Sequence, residues 1–256
     1  MGGGRVSGDD TRPRSVKGVI LAGGTGSRLD PLTRVTNKHL LPVYDRPMVQ
    51  YSIELLVGAG IRDALIVTGG RDADRFAKVF GDGSGLGACL SYEFQERPAG
   101  IADALARARR FADGEPICLV LGDNIFGRSV RESAERFQAQ QRGARILLAE
   151  VERPQSYGVA VIAGDRVVRI EEKPARPSTR WAVTGCYFYD ADVFAIVDSL
   201  APSARGELEI TDVNNAYIAR GLLQYDATDG YWVDCGESFE SYLRAQNLVA
   251  ERGANR

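Results

Sequence analysis

From Val16 onward, short apolar runs bounded by glycine or aspartate alternate with longer stretches in which apolar residues recur every three or four positions. Nearly continuous apolar runs of this length fit strands buried on both faces. They predict strands at Gly18–Leu21, Ala64–Thr68, Leu90–Phe94 and Ile117–Leu121. The helical period predicts helices over Met48–Ala59, Asp72–Phe80 and Ile101–Phe111. GAGI at Gly58–Ile61 reads as a helix stop with glycine past its end, followed directly by the next strand. Such alternation implies an α/β fold whose buried, mostly parallel central sheet is flanked by helices.

After Asn124 the texture changes. Strands are predicted at Arg145–Val151, Val159–Ile162, Val167–Ile170 and Val183–Tyr189, with fewer helices between them, and helices resume at Asp190–Leu200, Glu209–Ala219 and Phe239–Ala250. This second half is expected to add a sheet region folded back on the first. No repeat or Pro/Ser linker divides the chain, so residues 17–256 are read as one domain with a lobe at about 17–124 and another at about 125–256. The preceding residues 1–16 are glycine-rich, charged and aperiodic, and are read as a disordered tail.

Composition narrows the function classes. The 256 residues are 44% hydrophobic and 26% charged, as in ordinary soluble domains, with a formal net charge of -2. That balance argues against a nucleic-acid partner. No apolar run approaches the roughly 20 residues of a membrane helix, so no membrane partner is expected. The N-terminus lacks the apolar core of a signal peptide. The four cysteines, Cys89, Cys118, Cys186 and Cys235, are widely spaced and fit free thiols in a cytoplasmic protein. His39 is the only histidine, too few for a zinc site, and reads as a packing or hydrogen-bonding residue rather than a catalyst.

The first strand breaks into GVILAGGTGSR. Glycines after a strand allow positive φ and close main-chain approach to a ligand, and successive N–H groups before a helix N-terminus form a concave anion site. GxxxxGK[ST] is absent, and Leu29 stands where GxGxxG needs its third glycine. Spacing alone therefore leaves a structural turn and a phosphate loop both open. Arg28 and, ten residues on, Lys38 favour a polyphosphate, because forked guanidinium donors and a compact ammonium suit its oxygens.

LAGGTGSRL followed by TNKHLLPVYDRPMVQY resembles the signature of the sugar nucleotidyltransferases, and the likeness continues through FGDGSGLG, QERPAGIADAL, LGDNIFG, SYGVAVI, IEEKP, VTGCYFYD, RGELEITDVN and WVDCGE. It spans Lys17 to about Ala250 and is greatest with the thymidylyl members. The resemblance implies a Rossmann-like nucleotidyltransferase fold with an added sugar-binding sheet lobe. It implies dTTP and a sugar 1-phosphate, glucose 1-phosphate first, as substrates, Mg²⁺ as cofactor, deoxysugar synthesis as the setting, and a homo-oligomer, dimer or tetramer. Another base or another sugar or cyclitol phosphate stays open, as does a non-catalytic sugar-nucleotide-binding subunit. The presence of Arg28, Lys38, Asp123, Lys173 and Asp234 argues against the last.

By that resemblance, Leu21, Ala22, Gly23, Gly24, Thr25 and Gly26 hold the nucleotide, with Arg28 and Lys38 on its phosphates. Asp123 and Asp234 each follow a short apolar strand and precede Asn or Cys-Gly, which alone reads as turn chemistry; the resemblance brings both to one metal. Gln95 and the Gly100 backbone read the base, since an amide can match the imide of thymine or uracil. Glu172 binds sugar hydroxyls and Lys173 the sugar phosphate, although neighbours on a strand would point to opposite sides. Tyr157, Gly158, Val183 and Trp232 line the sugar site, and Ile101, Leu121 and Thr211 stand beside it; Trp232 would share a strand face with Asp234. Two departures are visible. The chain stops soon after the helix containing Tyr242 and Leu243, where longer members carry a further helical segment that helps form a regulatory site, and Cys235 stands where threonine is frequent.

Overall fold

The computed structural model describes residues 15–70 and 72–256. The tail reading at residues 1–14 lies outside them. Val16, assigned to the tail, is instead buried in the core at 5% exposure, so the packed chain begins one residue earlier than expected. In chain order the strands are β1 (Lys17–Ala22), β2 (Pro42–Val43), β3 (Arg46–Pro47), β4 (Asp63–Gly69), β5 (Cys89–Gln95), β6 (Ile117–Leu121), β7 (Asn124–Phe126), β8 (Ala144–Glu150), β9 (Gly158–Ala163), β10 (Arg166–Glu172), β11 (Trp181–Tyr189), β12 (Leu223–Ala227) and β13 (Trp232–Asp234). The helices are α1 (Met48–Gly58), α2 (Ala73–Phe80), α3 (Ile101–Ala106), α4 (Arg109–Ala112), α5 (Arg131–Gln140), α6 (Val193–Asp198), α7 (Ile210–Ala219) and α8 (Phe239–Arg252).

Nine strands form one sheet. Its path runs β10-β9-β11-β6-β1-β4-β5, with β8 on the other side of β11 and β12 beside β8. β5, β4, β1 and β6 are mutually parallel, and β11 then enters antiparallel to β6 and β8. The added strands therefore continue the first sheet; β11, nine residues long, is the splice between the halves. The antiparallel ribbon β7–β13 and hairpin β2–β3 stand apart from it.

The two-residue period of β1 explains why it is apolar throughout. Val19 and Leu21 face the core packed under α3, α6 and α7, while Ile20 and Ala22 face the core under α1 and α2. A third cluster joins α1 to α8 through Met48, Tyr51, Tyr242, Ala245 and Val249.

Three local expectations need revision. The helix over Ile101–Phe111 breaks after Ala106, where Arg107 and Ala108 bond to Ala104 and Leu105 in tighter turns. The helix over Asp190–Leu200 begins only at Val193, because the Asp190 carboxylate is used as a turn anchor, accepting bonds from the Gly143 and Asp192 N–H groups and the Tyr217 hydroxyl. And α5 goes unpredicted because only Ser133, Ala134 and Phe137 of its ten residues are buried, too thin a stripe to show a period.

His39 is packed at 2% exposure under the junction of β1 and β6, where a side chain on Gly122 would strike its ring. Its Nδ1 lies 2.9 Å from Asn37 Oδ1. Burial, and then Lys38 beside it, push its pKa down from 6.5 to about 3. Between those values the unfolded chain binds a proton that the native chain does not, so stability falls as pH falls through this window. Going from pH 7 to pH 5, the native protein should therefore lose about 2 kcal/mol more unfolding free energy than His39→Gln. Urea melts at the two pH values check this; parallel losses in both proteins would contradict it.

Candidate functional site

Because β1, β4, β5 and β6 are parallel, their C-terminal ends share one edge, the place where open α/β sheets bind ligands. The glycine loop leaves β1 there, Gln95 ends β5, and Asp123 follows β6. Strands β9, β10 and β11 bring Gly158, Glu172 and Val183 to the opposite wall. Between them lies a cavity of about 590 Å³. With one exception, every nucleotide, sugar and metal residue inferred from the sequence lines it. The exception is Ala22, which is fully buried and serves the site only through its carbonyl, an acceptor for Asn37 Nδ2 at 3.3 Å.

In the glycine loop, Gly24 and Gly26 have φ of +92° and +63°. A side chain on Gly26 would come within 2.7 Å of Thr33 Cγ2. The loop does not run into an α-helix as expected. It ends in one 3-10 turn, Ser27–Leu29, anchored by the buried Leu29 and leaving Arg28 exposed on the cavity lip. An anion entering here would meet loop N–H groups and side-chain cations rather than a helix terminus.

At the floor, Lys38 Nζ meets Asp123 Oδ2 at 2.5 Å, with both side chains mostly buried. Asn124 Nδ2 donates to Asp123 Oδ1 at 2.9 Å. Burial alone would raise the Asp123 pKa, but Lys38 outweighs it and holds the carboxyl below the usual range. Lys38 is raised in turn: Asp123 and then Asp234 more than offset the effect of its burial. Asp234 fares differently. Burial, and then the charge of Asp123, push it up to about 7. The site therefore holds two carboxyls, Asp123 buried and Asp234 partly exposed, against one ammonium. Gly236 makes this packing possible, because a side chain there would lie 2.5 Å from Asp123 Oδ2 and 2.8 Å from Lys38 Nζ. Asp234 also accepts the Gly236 N–H at 2.8 Å, the turn bond that its sequence context suggested, while its carboxyl lines the cavity.

Gln95 is 5% exposed, and its Nε2 is committed within the protein, to Asp103 Oδ2 at 2.6 Å and the Gly100 carbonyl at 3.3 Å. That orients Oε1 towards Gly23. Gly100 has φ of +102°, and a side chain on it would collide with the Leu208 backbone, which pairs with Ala99 and Ala102.

On the sugar side, Glu172 accepts from Thr211 Oγ1 at 2.6 Å and Arg205 at 3.2 Å. Lys173 does not point away from Glu172 as strand alternation predicts. It stands just past β10 with φ of +43°, which turns its side chain into the same cavity, 3.9 Å from Glu172. Its N–H donates to the Tyr157 carbonyl at 3.0 Å. Tyr157 packs edge-on against Trp232, with ring centroids 5.0 Å apart, and Trp232 Nε1 donates to Asn124 Oδ1 at 2.7 Å. Trp232 and Asp234 both line the cavity from β13, as their spacing suggested.

Sequence reading assigned no role to Asn37, Asp103, Gly236 or Glu237. Asn37 joins the Lys38 turn to Asp72 and β1, Asp103 fixes Gln95, and Glu237 meets Tyr157. Only Gly236 carried a signal, as a glycine two residues after an expected metal acid.

Residues 17–252 match the nucleotidyl transferase family model. A glucose-1-phosphate thymidylyltransferase of Neisseria meningitidis is 44% identical over 238 residues, covering 91% of this chain and 82% of its own length. One from an Actinoplanes species is 45% identical over the same share of this chain and 78% of its own. Among solved structures, a Bacillus anthracis protein described as a glucose-1-phosphate thymidylyltransferase, in complex with a sucrose, superposes with a TM-score of 0.88 at 44% identity, over 91% of this chain and 95% of that one. A UDP-glucose pyrophosphorylase complexed with UDP-glucose gives 0.82 at 25% identity, over 92% and 98%. The sheet, the cavity on its carboxyl edge and these matches agree: the chain belongs to the nucleotidyl transferase family.

Proposed function

We propose that the protein is a glucose-1-phosphate thymidylyltransferase, which joins dTTP and glucose 1-phosphate into dTDP-glucose and releases pyrophosphate. The observation that carries this reading is that one cavity gathers Arg28, Lys38, Gln95, Asp123, Glu172, Lys173 and Asp234 in a chain 44–45% identical to proteins of that name.

A phosphate oxygen of the sugar 1-phosphate attacks the α-phosphorus of dTTP in line. The new P–O bond forms as the bond to the β-phosphate oxygen breaks. Because the nucleophile is already an anion, the step needs no general base, and a site whose one histidine is buried and neutral is not deficient. What remains is alignment and charge neutralisation. The glycine loop and Arg28 receive the triphosphate, Lys38 reaches it from the cavity floor, and Lys173 holds the attacking phosphate. Glu172, with Thr211 beside it, accepts from sugar hydroxyls.

The donor set suits Mg²⁺. Asp123 and Asp234 both offer oxygen, Lys38 can balance only one of them once both are ionised, and among the described residues no third His, Cys, Asp or Glu completes a self-sufficient metal cluster. Two carboxylates that leave positions for phosphate and water are how magnesium is usually held beside a nucleotide. The bound ion would supply charge stabilisation at the phosphate.

With Mg²⁺ and glucose 1-phosphate, pyrophosphate release should be fastest with dTTP among dTTP, UTP, CTP, GTP and ATP. Asp123→Asn should lower kcat by at least about 100-fold, and EDTA should abolish turnover until Mg²⁺ is restored. Activity with another nucleotide alone, or full activity in Asp123→Asn, would overturn the reading.

Base choice turns on Gln95. With Nε2 occupied by Asp103, its Oε1 is placed to accept from the thymine imide N–H, where cytosine would offer a second acceptor. Gln95→Ala should reduce the dTTP-over-CTP preference in kcat/KM by about tenfold or more. An unchanged ratio would mean that the base is read elsewhere.

A further inference from the structure

Tyr157 makes three contacts that belong to three parts of the site. Its ring lies against Trp232, two residues before Asp234. Its carbonyl accepts the N–H of Lys173. Its hydroxyl donates to Glu237 Oε2 at 3.0 Å, across 80 residues of chain. Glu237 follows Asp234 by three residues, in the segment between β13 and α8. Beyond Tyr157, Trp232 and Asp234 lies a second cavity of about 670 Å³, lined also by Arg153, Arg180 and Glu237. The Tyr157–Trp232 pair is thus a thin wall between two open spaces. On its far side, the one polar group bonded to the phenol is the Glu237 carboxylate.

We infer that Glu237 is a positioning residue for the sugar 1-phosphate: by holding the Tyr157 hydroxyl it locks the Tyr157–Lys173 corner against the Asp234 loop. A ring bordered by cavities on both sides has room to swing, and tying its hydroxyl down restrains the Tyr157 main chain, whose carbonyl holds the Lys173 N–H. Lys173 already adopts a left-handed conformation that a lysine holds only when its surroundings enforce it. The hydrogen bond of Glu237 goes to the sugar side, and its charge also faces Asp234. Among the described residues it makes no hydrogen bond to the glycine loop or Gln95, and Tyr157 is its one side-chain hydrogen-bond partner.

This inference rests on the proposed nucleotidyl transfer, and the experiment separates the two. Steady-state kinetics would be measured for the native protein, Glu237→Ala, Glu237→Gln, Tyr157→Phe and the Tyr157→Phe/Glu237→Ala double variant, each confirmed folded by its melting profile. Loss of one hydrogen bond to a carboxylate should lower kcat/KM for glucose 1-phosphate roughly tenfold in Glu237→Ala, with KM for dTTP within about twofold. Glu237→Gln keeps an acceptor oxygen at the same reach and should recover most of the loss. Tyr157→Phe should show a similar loss, and adding Glu237→Ala to it should cost less than about twofold more. A native enzyme with a kinetically silent Glu237→Ala would overturn this inference and leave the function standing. So would equal losses for both substrates, or a Glu237→Ala penalty undiminished in the Tyr157→Phe background. A native protein inactive with dTTP and glucose 1-phosphate would overturn both.

Discussion

The buried contact between Lys38 and Asp123 is the constraint around which the rest of the site is arranged. Each charge would be costly alone at that depth, and the pair is tolerated because its geometry is tight and the second carboxylate oxygen is bonded to Asn124. The backbone is cleared to admit it. Gly236 leaves room for the two charged ends, Gly122 for the His39 ring and Gly185 for the Asn124 amide, which in turn holds Trp232. Asp234 is then brought beside Asp123 by the β7–β13 ribbon, in which it pairs with Asn124. The result is two carboxyls against one ammonium at the bottom of a cavity whose lip carries Arg28 and whose far wall carries Lys173. We propose that a cation enters with the nucleotide, because phosphate brought against two carboxyls is repelled unless a positive charge stands between them.

The chemistry proposed for the site asks little of any one side chain. Two phosphates must meet in line, with their repulsion neutralised and their water displaced. The sheet serves this by splicing its parallel half, which presents the glycine loop and Gln95, to its antiparallel half, which presents Glu172 and Lys173. Strand β11 makes the splice, bordering β6 with Cys186–Tyr189 and β9 with Ala182. The two cavity walls are thereby parts of one hydrogen-bonded sheet, so in the proposed reaction the separation between nucleotide and sugar phosphates would be set by backbone pairing rather than by a flexible linker.

Much of this was legible in the sequence because the relevant signals are local. The parallel strands are short apolar runs closed by glycine or aspartate, and all four were placed to within about two residues. The glycine loop, the two aspartates and the Glu172–Lys173 pair lie in contiguous motifs. What was not legible depends on contacts distant in sequence or on a thin pattern. Helix α5 buries too little to show a period, and β12 is recruited by pairing with β8 rather than by its own composition. That Lys173 faces the cavity follows from a backbone turn that strand alternation does not anticipate. Asp103 acquires its role only when α3 folds back to Gln95, and Glu237 only when α8 brings it to Tyr157.

In the proposed reaction Asp123 and Asp234 form one cation site facing the nucleotide. Diffraction from crystals grown with Mn²⁺ and dTTP, using the anomalous signal of the metal, tests it directly. A peak is expected between the two carboxylates, with an oxygen of each at roughly 2.1 Å as for hard-cation ligation, and a nucleotide phosphate oxygen on the same ion. A peak on the nucleotide alone, with neither aspartate bound, would contradict it.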